Sequence, residues 1–397
     1  MKKLKWGAWG LLVLVLLAIV AWTIANVTGE AKFRAALDTL RAAGYATSAV
    51  ELAPKPIPAA ENAAPYYTAA FALAVPPAEE DQDALYGPGG WGALDDGRKA
   101  SLRACVDANA EAFELLEKAR KRARCAFERD YAKGLEILLP EVTEILKVSR
   151  LLRLRAAVQP DSARRSAEAV IALAGTIADE RILISQLVRL TVLEIACEIV
   201  DDAVTAEASE ADLKAWLEIV PRSESLTGVM APALRGELAM VADLLREPAD
   251  RFWTMVDTSR AGDIRLLTKI ARPWFKSDGA RYLELMRRAA EAAAQSYLDG
   301  RAEIAAVTAK VAPSVWRPVT TLLLPALGHA VERGAVTQAR LAVTRAGLEA
   351  ELARRTSGRY PAQVQGTDPF TGKPPAIDAA RVSSAWTEKI EWRLRAK

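Results

Sequence analysis

"WGAWGLLVLVLLAIVAWTIA", Trp6 to Ala25, carries no charged side chain, and the reading of this stretch decides the architecture of everything after it. A helix of about 20 apolar residues reaches about 30 Å, the thickness of a bilayer hydrocarbon core. Trp6 and Trp9 stand near one end of the run and Trp22 near the other, where an indole holds its N–H among headgroups and its ring among acyl chains. Lys2, Lys3 and Lys5 precede the run, whereas Glu30, Lys32 and Arg34 beyond it nearly balance. That asymmetry puts the N-terminus in the cytoplasm and the bulk of the chain outside an inner (cytoplasmic) membrane, as a single-pass protein. Secretion after signal cleavage is the competing reading, because Thr23-Ile24-Ala25 offers small residues at a cleavage point. The apolar run exceeds the ~7–15 residues of a signal peptide, which favours a retained anchor over residues 1–25. No cysteine follows the run, so a lipoprotein anchor is excluded.

Beyond the anchor, "GEAKFRAALDTLRAAGYA" continues with Phe33, Leu37 and Leu40 on one helical face and stops at Gly44. The two segments are expected to form one long helix rising from the membrane. Pro54, Pro56 and Pro58 then interrupt regular structure, and "AVPPAEEDQDALYGPGGWG" is expected to do so again, so residues 26–93 read as a juxtamembrane helix with Pro-rich linkers. Between them, "ENAAPYYTAAFALA" predicts a short helix showing Tyr66, Tyr67 and Phe71.

Residues 94–356 read as a helical array. A helix of about 28 residues is expected from Asp95 to Arg122, then a second through "LEILLPEVTEILKVSRLLRLRAAV". In the second, Leu138, Val142, Ile145 and Leu152 recur at helical spacing while Arg150, Arg153 and Arg155 face water. Ile182 to Val200 is apolar nearly all round and predicts a central buried helix; Arg189, Glu194 and Glu198 argue against a second span. "PVTTLLLPALGHAV", 318–331, is too short for a span and is interrupted by Pro325 and His329, so it reads as a buried core helix. The last long helix places Leu341, Leu348 and Leu352 together and ends at Gly358. No 34-residue period can be aligned, so the array is solenoid-like without a formal repeat.

Residues 357–397 form a C-terminal appendage of turns and strand. Ile390, Trp392 and Leu394 alternate with Glu391, Arg393 and Arg395 as a strand would, with "RVSSAW" as the expected partner. In "SGRYPAQVQGTDPFTGKP", Tyr360 and Pro361 are expected to pack back on the last helix, while Asp368, Pro369, Phe370 and Gly372 belong to turn chemistry. This segment reads as a structural cap, with a docking surface as the alternative.

Composition narrows the function. Lys and Arg total 53 against 50 Asp and Glu, so there is no broad field to attract nucleic acid. Hydrolytic triads usually need a histidine, and the only one, His329, lies in an apolar run where a core or helix-end role is expected. "GPGG", Gly87 to Gly90, lacks the lysine and helix of a phosphate loop and reads as a turn. Neither a zinc nor a calcium motif occurs, and no cofactor, metal or catalytic residue is assigned. Glu194 with Glu198, and Asp201 with Asp202, are paired carboxylates that read first as solvated or salt-bridged edges. Cys105, Cys125 and Cys197 are too few for a disulfide framework and read as buried thiols; a Cys105–Cys125 pair requires their helices to fold back on each other. The densest cationic run, Lys118, Arg120, Lys121, Arg122 and Arg124, complements a helix C-terminus. Its sharper reading is an anion- or partner-binding patch.

"ENAAPYY", "RCAFERDY" running into "LLPEVTEILKVSRLLRLRAAV", "ILISQLVRL", "LEAELARRTSGRYPAQV" and "DPFTGKP" together resemble landmarks of an uncharacterised family of bacterial envelope proteins. The resemblance implies one N-terminal membrane helix and a long helical body, and implies no activity. The terminal portion alone is similar to the tails of type II secretion pseudopilins, where a helix leads to "RYP" and then a "DP" turn. The chain departs from that pattern in lacking a prepilin cleavage motif and in carrying, of the tail's acidic calcium ligands, only Asp368. The expected fold is all-α: a transmembrane helix, an irregular antiparallel array and a small strand appendage. The expected function is a membrane-tethered interaction or scaffold module that binds another envelope protein. Two alternatives are an accessory component of a secretion or pilus-like assembly and a carboxylate-dependent enzyme.

Overall fold

Helix α1, Lys2–Ala42, runs without interruption from the apolar N-terminal stretch through the charged segment behind it. In this computed structural model residues 2–86, 90–256, 265–309, 317–378, 380–386 and 390–395 are described, with side chains for all of these except 2–8 and 256–270. Side chains from Trp9 to Val20 are exposed, and an 18-residue window here has a mean hydropathy of 2.5, long and apolar enough to cross a membrane. From Gly29 one face turns inward: Phe33, Leu37 and Leu40 are buried at the expected i, i+4, i+7 positions. The helix stops where Gly44 takes φ +77°, with Tyr45 N–H donating to Leu40 O and Gly44 N–H to Arg41 O, the paired bonds of a Schellman cap.

The Pro-rich stretch after α1 has only a single 3-10 turn, as its prolines require. Helix α2, Ala64–Leu73, buries Tyr67 and Phe71 in a stacked pair. The second Pro-containing stretch does contain a helix, contrary to expectation: α3, Glu79–Tyr86, starts with Glu79, Glu80 and Asp81, whose negative charge favours a helix N-terminus. Helix α4 is the single turn Gly90–Ala93. The 28-residue helix expected next is two helices, α5, Asp96–Ala108, and α6, Ala110–Arg120. Asn109 divides them because its buried amide accepts from Val75 N–H at 2.8 Å and donates to Val75 O at 2.9 Å, a tertiary bond that the sequence pattern does not announce.

Helix α7, Pro140–Val158, begins later than the apolar pattern suggests. Proline fits the first turn, where its missing N–H costs nothing, so Leu138 falls outside the helix and is 71% exposed. Helices α8, Ala163–Thr176, and α9, Leu183–Ala203, pack on α7 and on each other, and α9 is the buried helix predicted for Ile182 to Val200. After α10, Glu210–Ile219, come α11, Met230–Arg246, α12, Ala249–Val256, α13, Arg265–Ala293, and α14, Tyr297–Ala309.

Segment 318–331 divides into α15, Pro318–Leu323, and the start of α16, Pro325–Ser357. Pro325, in the first turn of α16, separates them, and Asp278 caps the start of α15: its carboxylate accepts from Val319 N–H at 2.8 Å and from Thr320 N–H and hydroxyl. His329 is not a core residue. Its side chain is 88% exposed, because the inward positions of this turn are Leu327, Ala330 and Val331. Leu341 and Leu348 are buried as expected, and Gly358 caps α16 at φ +77°.

Strands β1, Ala376–Ile377, β2, Arg381–Ser383, and β3, Glu391–Arg393, form an antiparallel sheet in the order β1-β2-β3. Val382 pairs with Trp392, so the strand predicted around Trp392 has its predicted partner, and β1 is added to it. A connected apolar core extends from Phe33 on α1 to Trp392 in β3. Sheet and helices therefore share one interior.

Candidate functional site

The cationic run is tied down by its own chain. Arg120 Nε donates to Glu117 at 2.6 Å and its guanidinium also reaches Glu168. Arg122 lies over the Tyr66 ring and donates to the Tyr66 hydroxyl at 3.0 Å. Arg124 is 3.9 Å from Glu61, and its carbonyl accepts from Ala63 N–H. Lys118 and Lys121 are exposed. Two of the five cations, Arg122 and Arg124, thus clamp the end of α6 onto the Pro-rich segment, and Arg120 ties it to α8.

Several stretches singled out in the sequence converge beside that clamp. Asn62 makes reciprocal 3.0 Å bonds with the backbone of Ala126, and Phe127 stacks on Phe71. Arg129, with a side chain only 2% exposed, bridges Glu141 and Glu180, the latter at 2.8 Å. "ENAAPYY", "RCAFERDY" and "LLPEV" are therefore parts of one buried junction.

The paired carboxylates are salt-bridged. Glu194 accepts from Thr337 Oγ1 at 2.6 Å and from Arg333; burial nevertheless raises its pKa, with the hydroxyl and the arginine opposing. Glu198 takes Arg153 at 2.5 Å, Asp202 takes the same arginine at 3.4 Å, and Asp201 takes Arg395 at 2.7 Å. Arg150 is exposed as predicted, but Arg153 and Arg155 are not simply solvated, since Arg155 stacks over Phe113. No group of three or more metal-binding side chains occurs among the described residues. All three cysteines are free thiols, and burial pushes Cys125 up to about 12 and Cys197 to about 11.

The C-terminal segment is turned inward. Tyr360 donates its hydroxyl to Glu351 on α16 at 3.0 Å and lies under Arg354. Glu351 is 1% exposed and also accepts from Arg354 and from Arg395 N–H. Arg395 in turn reaches Asp201 and the Val204 carbonyl at the end of α9. Asp368, likewise buried, accepts from Phe370 N–H, Ser384 Oγ and Ala385 N–H, fixing the turn against the sheet. Pro361 is partly buried, Pro369 is buried and Gly372 takes φ +69°. Phe370 stacks on Trp386 at 4.5 Å and meets Tyr297 edge-on. Glu351 escaped notice because a charge within a helical pattern reads as a surface residue unless its partners are known.

The open surface offers a cleft of about 580 Å³ between α3, α4, α7 and α9, lined by Tyr86, Trp91, Arg153, Ile199, Asp202 and Thr205. Arg153 lies over the Tyr86 ring at 4.6 Å. On α1, Trp9 is 68% exposed and Trp22 partly buried; the Trp6 side chain, like residues 87–89 of the expected turn, lies outside the described residues.

Compared with protein-family models, curated proteins and solved structures, the chain matches none.

Proposed function

We propose that the chain is a membrane-tethered extracytoplasmic scaffold, held in the inner (cytoplasmic) membrane by α1 with the N-terminus in the cytoplasm, whose helical body binds another envelope protein. One observation carries the reading: α1 leaves its exposed apolar segment and becomes a core helix of the body without a break. Gly29 lets the backbones of α1 and α13 approach so closely that a Cβ there would stand 2.6 Å from the Pro273 carbonyl oxygen. A body joined in this way keeps a fixed height and orientation above the bilayer, which suits a protein that presents a surface to a neighbour. Kinship with the envelope-protein family is part of the same proposal and rests on the quoted landmarks.

The test is photo-cross-linking in intact membranes from positions lining the cleft at Trp91. Saturable adducts that vanish when α1 is removed support the reading. Adducts that persist unchanged in the anchorless chain, or none at all from this face, sink it.

A further inference from the structure

Helices α1 and α13 lie side by side and run in the same direction. Gly29 meets Pro273, Phe33 meets Lys276 and Gly279, and Tyr45 reaches Glu291. The beginning of α13 is therefore carried to the level at which α1 leaves its apolar segment. Val27, 63% exposed, is the last large apolar residue exposed on α1. Glu30 lies about 5 Å further along the axis and Arg34 about 10 Å, at a rise of about 1.5 Å per residue. The interfacial layer of a bilayer is about 5–8 Å deep on each side, so Glu30 stands at the level of lipid headgroups and Arg34, whose side chain leans back toward the helix N-terminus, reaches it from just above, whereas Arg41, about 21 Å beyond Val27, stands outside the layer.

A pocket of about 330 Å³ opens there, lined by Glu30, Phe33, Arg34, Arg41, Arg246 and Lys276, together with Leu37 and Asp38. Of its four cations, Arg246 is held by Asp243 and the Thr47 carbonyl, while Arg34, Arg41 and Lys276 share Glu30 and Asp38 with Arg272, which stands 3.9 Å from Glu30 at the lower lip. Lys276 is 6% exposed: its ammonium donates to Leu245 O at 2.6 Å, lies over the Phe33 ring and is 3.9 Å from Glu30. An ammonium has three protons, and among the described residues one of them finds a hydrogen-bond acceptor. Arg34 with Glu30 and Arg41 with Asp38 are exposed pairs on one helix, which are weak and easily exchanged for a better acceptor. Burial lowers the Lys276 pKa, with Glu30 opposing and the neighbouring arginines adding to it.

We propose that this pocket binds the phosphate headgroup of an anionic membrane lipid; the proposal rests on α1 crossing the bilayer. A phosphodiester brings one negative charge and several acceptor oxygens to the level where Lys276, Arg34 and Arg272 surround Glu30.

The test uses the full-length chain, taken from membranes in mild detergent, given phosphatidylglycerol and phosphatidylcholine in equal amounts, and examined by native mass spectrometry. Retention of phosphatidylglycerol over phosphatidylcholine is expected, falling roughly five-fold for each cation removed in Arg34→Gln, Arg272→Gln and their combination. Circular dichroism melts of the first two variants should match the parent, since both side chains are exposed. Equal retention of the two lipids, or retention indifferent to the substitutions, overturns the proposal. Full displacement of the lipid by inorganic phosphate overturns the lipid as the source and assigns the pocket to a soluble anion. Alkaline carbonate extraction keeps the two readings apart: release of the full chain refutes the anchor itself, whereas retention without lipid preference refutes only the pocket.

Discussion

Trp392 of β3 lies directly against Gly347 of α16, where any Cβ would overlap the indole ring. The contact seats the sheet on the longest helix of the body, and Trp392 is 1% exposed as a result. Gly347→Ala should gain about 1 kcal/mol of helix propensity and lose about 1–3 kcal/mol to overpacking, with the loss dominant because a ring edge and a helix backbone have no room to part. The expected result is a lower melting temperature and red-shifted tryptophan emission. A melting temperature at or above the parent's would show that the sheet is not seated as described.

The α1–α13 contact makes a second expectation. Gly29→Leu must push the Pro273 carbonyl aside, and Gly29→Ala must do so to a smaller degree. Spin labels on exposed positions of α1 and α13 should report a lengthened and broadened distance distribution in the leucine variant, with the alanine variant between it and the parent. A distribution unchanged by leucine would mean that anchor and body are not coupled here.

Arg129 is enclosed by Glu141 and Glu180 with almost no access to water. Removal of one member of a buried ionic group leaves the others unpaired, so Arg129→Ala should cost about 3–5 kcal/mol in urea unfolding. Arg129→Lys should recover only part of this, because an ammonium cannot engage both carboxylates as a planar guanidinium does. Equal stability of the lysine variant and the parent would remove the bidentate bridge as the cause.

Glu237 on α11 is partly buried, has no ion-pair partner among the described residues, and is pushed by desolvation up to about 7 from an ordinary 4.5. Tyr282 on α13, fully buried with an unbonded hydroxyl, feels its charge. Below the ordinary value both folded and unfolded chains hold this proton and there is no contribution. Between the two values the unfolded chain releases the proton while the folded chain keeps it, so stability falls as pH rises, and the loss levels off above about 7. Glu237→Gln should therefore match the parent at acid pH and exceed it by on the order of 2 kcal/mol above neutrality, the full shift being discounted for partial solvation. Parallel pH–stability curves for the two proteins would contradict this.

The sequence by itself determined the anchor helix, the class of most elements and several of their ends. An uncharged run of about 20 residues leaves only a helix able to satisfy its backbone in lipid, and helical spacing carried that helix on through Phe33, Leu37 and Leu40. Gly44 and Gly358 marked two helix ends, and the alternation around Trp392 marked a strand, because caps and periodicity are local properties of a chain. Tertiary structure alone decided what those elements touch. The division of the expected 28-residue helix at Asn109 depends on Val75, far away in sequence. His329 is exposed and Glu351 buried, although each sits in an amphipathic helix, because the face that turns inward is chosen by neighbours and not by the residue. The juxtamembrane pocket joins α1 to α11 and α13, more than two hundred residues apart, and no local signal can announce it. Periodicity fixes which side of a helix is apolar; only packing fixes what lies against it, and with it which charges are left without a partner element.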